Sequence, residues 1–368
     1  MKLSPFYFLE AQAGGVMTEA AWGGVKGYTD ARTEHFAVRE KVGVIDFSSM
    51  GNLDVKGKDA KTVLQEICVN DLNKLFVGKV IYTTVVNAEG GILDDTTIYM
   101  LGEDHYMVVA ATAKRYSTYQ YLLDQAKGRE VYVTDITGGT GILCLQGPNS
   151  VPLLNKISDV PIDDVKYFGF KNIKIAGEDI IASRTGFTGS LGFELYVNSD
   201  DAYTVWNAVM DAGGEFGLQL CGSQVAAVSL PLEKGYLSGR ELVVTANPYE
   251  LDLGWTVVLD KETPCIGNDA LKKIKETGPV NKIVGFILPD KTQTVANGSP
   301  VTAGVGGPEI GKVTSAAFGW YLDEFIGLAY IKSEYAALGS TITVLAGETP
   351  VEVEVVNKVF YDPERKFL

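Results

Sequence analysis

The 368-residue chain is poor in the residues on which several common chemistries depend. It has only two histidines, His35 and His105, so a serine–histidine–aspartate triad or a multi-histidine metal site lacks its parts. Its four cysteines are far apart and form no C-x-x-C pair, which argues against a zinc site. We therefore expect buried free thiols, structural histidines and no bound metal.

Long apolar runs and clusters of positive charge are also missing. No stretch approaches the roughly 20 apolar residues that a membrane helix needs. The net charge of −14, without any lysine and arginine cluster, argues against nucleic acid and anionic membranes as partners. Pro5 and Glu10 interrupt the apolar N-terminal stretch, so we interpret it as mature chain rather than a signal peptide. We expect a cytoplasmic globular protein.

Hydrophobic periodicity predicts an α+β fold. Helical patterns at 59–68, 113–127 and 200–215 alternate with strand patterns and short hairpin connections. After about residue 280 the chain reads as short strands separated by glycine and proline turns, which is typical of a small all-β domain, barrel-like or jelly-roll-like. We place an α+β region at 1–278 and the β domain at 279–368. No internal repeat is evident.

The most informative segment is residues 184–197, Arg-Thr-Gly-Phe-Thr-Gly-Ser-Leu-Gly-Phe-Glu-Leu-Tyr-Val. A glycine-rich turn leads into an alternating strand that places Glu194 and Tyr196 on the face opposite to Phe193. A strand interior is unfavourable for glutamate, so we expect Glu194 to face a ligand. A carboxylate in that position can accept two parallel hydrogen bonds from a flat heterocycle with adjacent N–H donors.

Two adjacent aspartates, Asp94 and Asp95, form the second candidate. They lie inside a predicted strand, where neighbouring side chains point in opposite directions. Only one of them can therefore enter a given pocket, which excludes a dyad that shares one proton. The alternative is a turn carboxylate that accepts hydrogen bonds from backbone N–H groups, and spacing alone does not decide between the two.

Taken together, these segments resemble the aminomethyltransferase family, which comprises the T-protein of the glycine-cleavage system and folate-dependent demethylases. The resemblance runs nearly from end to end and rests on several motifs in order. They occupy residues 37–46, 78–82, 87–95, 145–148, 184–194, 232–235, 253–255, 311–315 and 326–329. The resemblance implies a T-protein-like multidomain fold, with two intertwined subdomains in residues 1–278 and a central cavity that binds tetrahydrofolate.

The resemblance also implies roles for individual residues. Glu194 matches the glutamate that holds the pterin edge, and Asp95 matches the catalytic aspartate near the folate nitrogens. The further cofactor-binding residues that it implies are Tyr82, Tyr99, Val109, Arg184 and Phe187.

The chain departs from the family pattern at three places. Ser49 replaces a usual histidine, Ala110 stands where an asparagine is common, and residues 221–233 lack an arginine that T-proteins carry. We expect these lost polar groups to face the active site or the donor. We therefore favour a tetrahydrofolate-dependent demethylase that takes a methyl group from an O-, N- or S-methylated small molecule.

Two alternatives stay open. One is a true T-protein, which acts on an aminomethyl-lipoyl carrier protein and yields methylene-tetrahydrofolate and ammonia. The other is a folate-binding module without turnover. The chain has no N-terminal G-x-G-x-x-G, so we do not expect a flavin domain of its own.

Overall fold

The computed structural model describes residues 2–19 and 21–368, and within them helices and strands are interleaved along the chain. The α-helices are α1 (Tyr7–Gln12), α2 (Ala31–Glu40), α3 (Ala60–Ile67), α4 (Arg115–Ala126), α5 (Ser150–Ile157), α6 (Ala202–Gly213), α7 (Leu230–Glu233) and α8 (Asn268–Thr277). The strands are β1 (Met17–Thr18), β2 (Gly24–Val25), β3 (Val42–Asp46), β4 (Gly51–Lys56), β5 (Val80–Val86), β6 (Ile92–Gly102), β7 (His105–Ala110), β8 (Tyr132–Asp135), β9 (Thr140–Gln146), β10 (Phe170–Ile175), β11 (Glu178–Ser183), β12 (Gly192–Asn198), β13 (Leu218–Leu220), β14 (Asn281–Ile287), β15 (Pro300–Thr302), β16 (Glu309–Gly319), β17 (Glu324–Lys332), β18 (Thr341–Ala346) and β19 (Thr349–Glu354).

Two large sheets share the first 220 residues. The five-stranded sheet has the order β5-β6-β7-β4-β8 and is antiparallel. The six-stranded sheet has the order β10-β11-β12-β9-β3-β13 and is antiparallel except for the β13–β3 pair. Strands of the six-stranded sheet precede and follow those of the five-stranded sheet in sequence. The α+β prediction is confirmed.

The sheets pack face to face, and helices cover their outer faces. Leu53, Ile98 and Tyr106 of the five-stranded sheet join a buried cluster with α3 and α4. The six-stranded sheet packs in the same way on α5 and α6. A third cluster, to which Tyr99 and Tyr196 belong, fills the space between the two sheets. Since each sheet buries both faces, a polar side chain on an inner face needs a partner there.

The region after residue 280 forms one antiparallel sheet of order β14-β17-β16-β15-β18-β19. The sheet curls until its two ends meet, because Gly285 of β14 bridges to Val356 just beyond β19. A side chain at Gly285 would lie 2.6 Å from the carbonyl oxygen of Asn357, so this approach requires glycine. The predicted small all-β, barrel-like domain is confirmed, whereas its boundary at residue 278 stays a prediction.

The two large sheets contain a structural repeat that the sequence analysis missed. Gly57 and Gly147, both with φ near +130°, precede α3 and α5. A single bridge after each helix then leads to an antiparallel hairpin, β5–β6 in the first copy and β10–β11 in the second. The expectation of no repeat is wrong. Such a unit requires only an apolar pattern and a glycine with positive φ, so its two copies need not share particular side chains.

The predicted helices at 59–68, 113–127 and 200–215 agree with α3, α4 and α6 to within a few residues. In the C-terminal domain, β16 carries a register shift between Val313 and Ser315. A bulge breaks the two-residue alternation and so conceals the strand in the sequence. All four cysteines are buried and free. Among the described residues, none of the helices is both long and apolar enough to cross a bilayer.

Candidate functional site

One face of the five-stranded sheet gathers most of the predicted site residues. Asp95, Thr97 and Tyr99 alternate along β6 and therefore share a face. Thr97 pairs with Tyr82 of β5 and with Val109 of β7, which places both on that same face. Since Tyr99 and Val109 belong to the cluster between the sheets, this face looks toward the six-stranded sheet.

Asp94 lies on the opposite face, as the alternation predicts. Its Oδ2 accepts a 2.5 Å hydrogen bond from Thr118 of α4, and its Oδ1 accepts one from the Asp95 backbone N–H. Burial, followed by the neighbouring Asp95 charge, raises the pKa of Asp94 well above its usual value. Asp94 is thus part of the packing between sheet and helix, and Asp95 is the aspartate available to the site.

Asp95 is held by a tyrosine and lies in a half-buried position. The Tyr82 hydroxyl donates to Asp95 Oδ2 over 3.0 Å. Burial raises the pKa of Asp95 to about 6, with the tyrosine hydrogen bond acting in the opposite direction. The carboxylate is therefore mostly ionised at neutral pH. Burial and the Asp95 charge also raise the pKa of Tyr82, which keeps this phenol a donor.

Glu194 reaches the same space from the six-stranded sheet. It is 7% exposed, and its Oε2 accepts hydrogen bonds from Thr185 Oγ1 at 2.6 Å, the Tyr196 hydroxyl at 2.9 Å and the Tyr99 hydroxyl at 3.3 Å. Burial raises the pKa of Glu194, and the three hydroxyl donors oppose that shift. Among the described residues, these hydrogen bonds all end on Oε2, so Oε1 keeps its acceptor capacity.

Tyr99 of the five-stranded sheet contacts the six-stranded sheet. Its hydroxyl lies 2.8 Å from that of Tyr196 in the other sheet. Tyr99 also follows Asp95 by four residues on one strand, so their Cα atoms are roughly 13 Å apart. Glu194 and Asp95 therefore lie toward opposite ends of one space between the sheets.

Two buried polar atoms on this face lack partners. Thr84 pairs with Asp95 across β5–β6, and Asn52 pairs with Val109 across β4–β7. Thr84 Oγ1 and Asn52 Oδ1 are buried and have no hydrogen-bond partner within residues 2–19 and 21–368. Since buried polar groups are nearly always hydrogen-bonded, such atoms indicate a place for water or a polar ligand.

Two predicted residues lie in contacts of a different kind. The Arg184 guanidinium donates to the backbone carbonyls of Val165 at 3.0 Å and Leu368 at 3.1 Å. Phe187 stacks on Tyr236 with ring centroids 5.7 Å apart. Neither side chain hydrogen-bonds to Glu194 or Asp95, and their folate-binding roles stay predictions.

Three side chains beside the carboxylates were not among the predicted site residues. Thr185 and Tyr196 hydrogen-bond to Glu194, and Trp255 stacks on Tyr82 at a centroid distance of 5.9 Å and an interplanar angle of 20°. Tyr196 was detectable, because it alternates with Glu194 on the same strand. The contacts of Thr185 and Trp255 depend on tertiary packing that no local pattern reveals.

The departures from the family pattern do not all face the site. Ala110 pairs with Thr96, which lies on the Asp94 side of β6, so the expectation that position 110 faces the site is wrong. Ser49 Oγ lies 3.0 Å from Thr112 Oγ1. Residues Val225–Ser229 form a π-helical turn whose outer side lines a cleft of about 40 Å³ that also contains Arg240. π-turns are common at functional sites.

A second polar cluster contains a serine, a histidine and a glutamate that are hydrogen-bonded in sequence as in a catalytic triad, but its side chains are buried. His35 Nδ1 lies 2.8 Å from Ser229 Oγ, and His35 Nε2 lies 3.0 Å from Glu233 Oε2, which also accepts from Arg39 at 2.9 Å. The side chains of His35, Arg39 and Glu233 are fully buried. This burial and these hydrogen bonds fit the structural role predicted for His35, which stays a prediction.

Comparison with protein families accounts for nearly the whole chain. Residues 6–261 match the family described as "GCVT N-terminal domain". Residues 281–362 match the family described as "Glycine cleavage T-protein C-terminal barrel domain".

Full-length relatives agree with the family match. An aminomethyltransferase from Halothermothrix orenii is 37% identical over 362 residues, which cover 98% of this chain and 100% of the relative. An aminomethyltransferase from Caldanaerobacter subterraneus is 35% identical, with 100% and 97% covered. The crystal structure of the glycine cleavage system aminomethyltransferase T from Bartonella henselae superposes with a TM-score of 0.90 at 25% identity, covering 98% of each chain.

Proposed function

Because the chain belongs to the T-protein family of aminomethyltransferases, we propose that it moves the aminomethyl carbon of a lipoyl carrier protein to tetrahydrofolate and releases ammonia. It is a one-carbon transferase, and tetrahydrofolate is its cofactor. One observation favours aminomethyl over methyl transfer: relatives that are 35–37% identical from end to end are aminomethyltransferases. The preference for a demethylase rested partly on position 110, which lies on the wrong face of its strand. A cytoplasmic location stays a prediction.

The residues between the sheets fit a pterin. Within the described part of the chain Glu194 Oε1 has no donor and can accept from a ring N–H or amino group, and the Thr84 and Asn52 oxygens that lack partners there suit a ligand rich in polar atoms. A small cavity of about 10 Å³, enough for about one water, lies beside Thr185 and is lined by Arg184 and Gly186 rather than by the two carboxylates.

In the proposed reaction the carbon leaves the sulfur of the carrier arm, which becomes a thiol, and its amino group departs as ammonia. Tetrahydrofolate supplies the nucleophilic nitrogens that take up the carbon. Glu194 would hold the folate by its pterin edge, which sets its orientation. Asp95, ionised near neutral pH, would stabilise positive charge on the reacting carbon and nitrogen or hold a proton there. Tyr82 would keep the Asp95 carboxylate in place through its 3.0 Å hydrogen bond.

A donor screen tests the proposal. Purified enzyme and tetrahydrofolate are offered an aminomethylated lipoyl carrier protein in one arm, and O-, N- and S-methylated small molecules in the other. We expect ammonia from the carrier arm alone and its loss in Asp95→Asn. If 5-methyltetrahydrofolate forms from a methyl donor and the carrier yields no ammonia, the demethylase hypothesis replaces this proposal.

A further inference from the structure

Exposure of the site residues increases in one direction. Tyr99 is fully buried and Glu194 is 7% exposed, whereas Asp95 and Tyr82 are half-buried and Trp255 is 63% exposed. The pterin edge predicted to bind Glu194 thus lies at the deep end of the space between the sheets. The Trp255 side is the shallow end, from which a second substrate can approach Asp95.

Trp255 contacts the site through the ring of Tyr82. Its indole stacks on Tyr82 at 5.9 Å and 20°, and Tyr82 in turn donates to Asp95. With 63% of the residue exposed, most of the Trp255 surface stays open to solvent beside this contact. A large apolar surface left open beside a reactive carboxylate is a typical binding surface.

The loop that carries Trp255 is firmly held. Glu250 accepts hydrogen bonds from the Asn281 backbone N–H at 3.1 Å and from the Tyr330 hydroxyl at 2.8 Å. Asp252 has a left-handed backbone with φ of 58°, a conformation that costs energy in a residue other than glycine. The fold therefore keeps a strained, anchored loop in a shape that presents an exposed tryptophan.

We propose that Trp255 binds the donor: the hydrocarbon and thioether arm that carries the aminomethyl group lies against the exposed surface of the indole. This inference rests on the proposed function. Such an arm is mostly hydrocarbon and thioether, apart from one amide link, and carries a positive charge at its tip. The indole offers apolar area for the chain and a π-face for the cation, and Asp95 lies beyond Tyr82 to receive the charged end. Trp255 is then a determinant of donor specificity, whereas Glu194 serves the folate.

Trp255→Ala and Trp255→Phe test this role, with Tyr203→Ala as the matched control, because Tyr203 is an equally exposed aromatic residue on α6. With aminomethylated lipoyl carrier as donor, we expect Trp255→Ala to raise the donor KM at least tenfold. It should change kcat less than threefold and the tetrahydrofolate Kd less than twofold. Trp255→Phe should stay within about threefold of wild type in KM, and Tyr203→Ala should behave as wild type.

Three results would overturn the inference. They are an unchanged donor KM, a parallel rise in the tetrahydrofolate Kd, and a shift of the pH profile of kcat, since the last two mean that Trp255 only supports the folate site or Tyr82. A wild-type enzyme that is inactive with the carrier would refute the proposed function instead. Acrylamide quenching of tryptophan emission then tests for direct contact. The emission of Trp255 is obtained by subtracting the emission of Trp255→Phe from that of the wild type. Protection by the lipoyl carrier supports the inference, and no protection refutes it.

Discussion

Replacement of Glu194 by glutamine separates folate binding from folding. Three hydroxyls, those of Tyr99, Thr185 and Tyr196, donate to Oε2, and among the described residues none donates to Oε1, the atom that we propose binds the pterin. A glutamine that keeps its carbonyl oxygen toward these hydroxyls turns its NH2 group toward the pterin. A donor then faces a donor, and one hydrogen bond to a charged acceptor is lost.

The loss of that hydrogen bond should cost about 1–3 kcal/mol of folate binding. The Kd for tetrahydrofolate should therefore rise roughly 5- to 150-fold. Thermal stability should hardly change, because glutamine still accepts from the hydroxyls and the substitution removes a buried charge. We expect the melting temperature of the free protein to stay within about 3 °C of wild type.

Isothermal titration with tetrahydrofolate and a thermal melt of each variant provide the test. Glu178→Gln is the matched control, since Glu178 lies at the far end of the neighbouring strand β11, opposite Ile175. A Kd within twofold of wild type would remove Glu194 from the folate site. A fall in melting temperature proportional to the loss of affinity would show that Glu194 supports the fold instead.

Three further substitutions test the roles of charge and backbone. Because burial raises the pKa of Asp95 to about 6, kcat/KM should fall as the pH drops through 6, and Asp95→Asn should lose about 10²–10⁴-fold in rate together with that pH limb. The same raised pKa means that the ionised carboxylate disfavours the folded state above pH 6. Asp95→Asn should thus gain up to about 3 kcal/mol in urea unfolding at pH 8 and less at pH 5, and an equal change at both would contradict this. Arg39→Met leaves the buried Glu233 carboxylate without its guanidinium partner and should lower the free energy of unfolding in urea by about 3–5 kcal/mol. A loss below about 1 kcal/mol would mean that the Arg39–Glu233 pair is not needed for stability. Gly147→Ala should lower the free energy of unfolding by more than about 2 kcal/mol, because its Cβ would lie 2.4 Å from the Lys41 carbonyl oxygen. Gly177→Ala is the control, with open space at its Cβ, and should cost about 1 kcal/mol. Equal losses in the two variants would refute the steric argument.

The sequence predicted what depends on local alternation. Asp94 and Asp95 were assigned to opposite faces of one strand, and Glu194 to the face opposite Phe193, because both statements need only the two-residue period. The contact of Tyr99 with Glu194 joins two sheets and could not be derived from either strand alone. Only the family resemblance placed both residues at one site.

Other features were out of reach for identifiable reasons. Trp255 meets Tyr82 through residues more than 170 positions apart, and no periodicity encodes such a contact. The two copies built on Gly57 and Gly147 keep the same backbone geometry but share only a few identical residues, such as Leu64 with Leu154, which are too few to reveal the repeat in the sequence. The error at position 110 came from judging a substitution without knowing which face of its strand it occupies.

The oxidation level of the carbon delivered to folate tests the central claim most directly. The wild-type enzyme would be given tetrahydrofolate and a carrier whose aminomethyl carbon carries ¹³C, and the folate product would be identified by mass and NMR. Aminomethyl transfer predicts labelled methylene-tetrahydrofolate with one ammonia released for each carbon transferred. Unlabelled folate and no ammonia from the carrier, together with 5-methyltetrahydrofolate from a methylated small molecule, would contradict the assignment of this chain as an aminomethyltransferase.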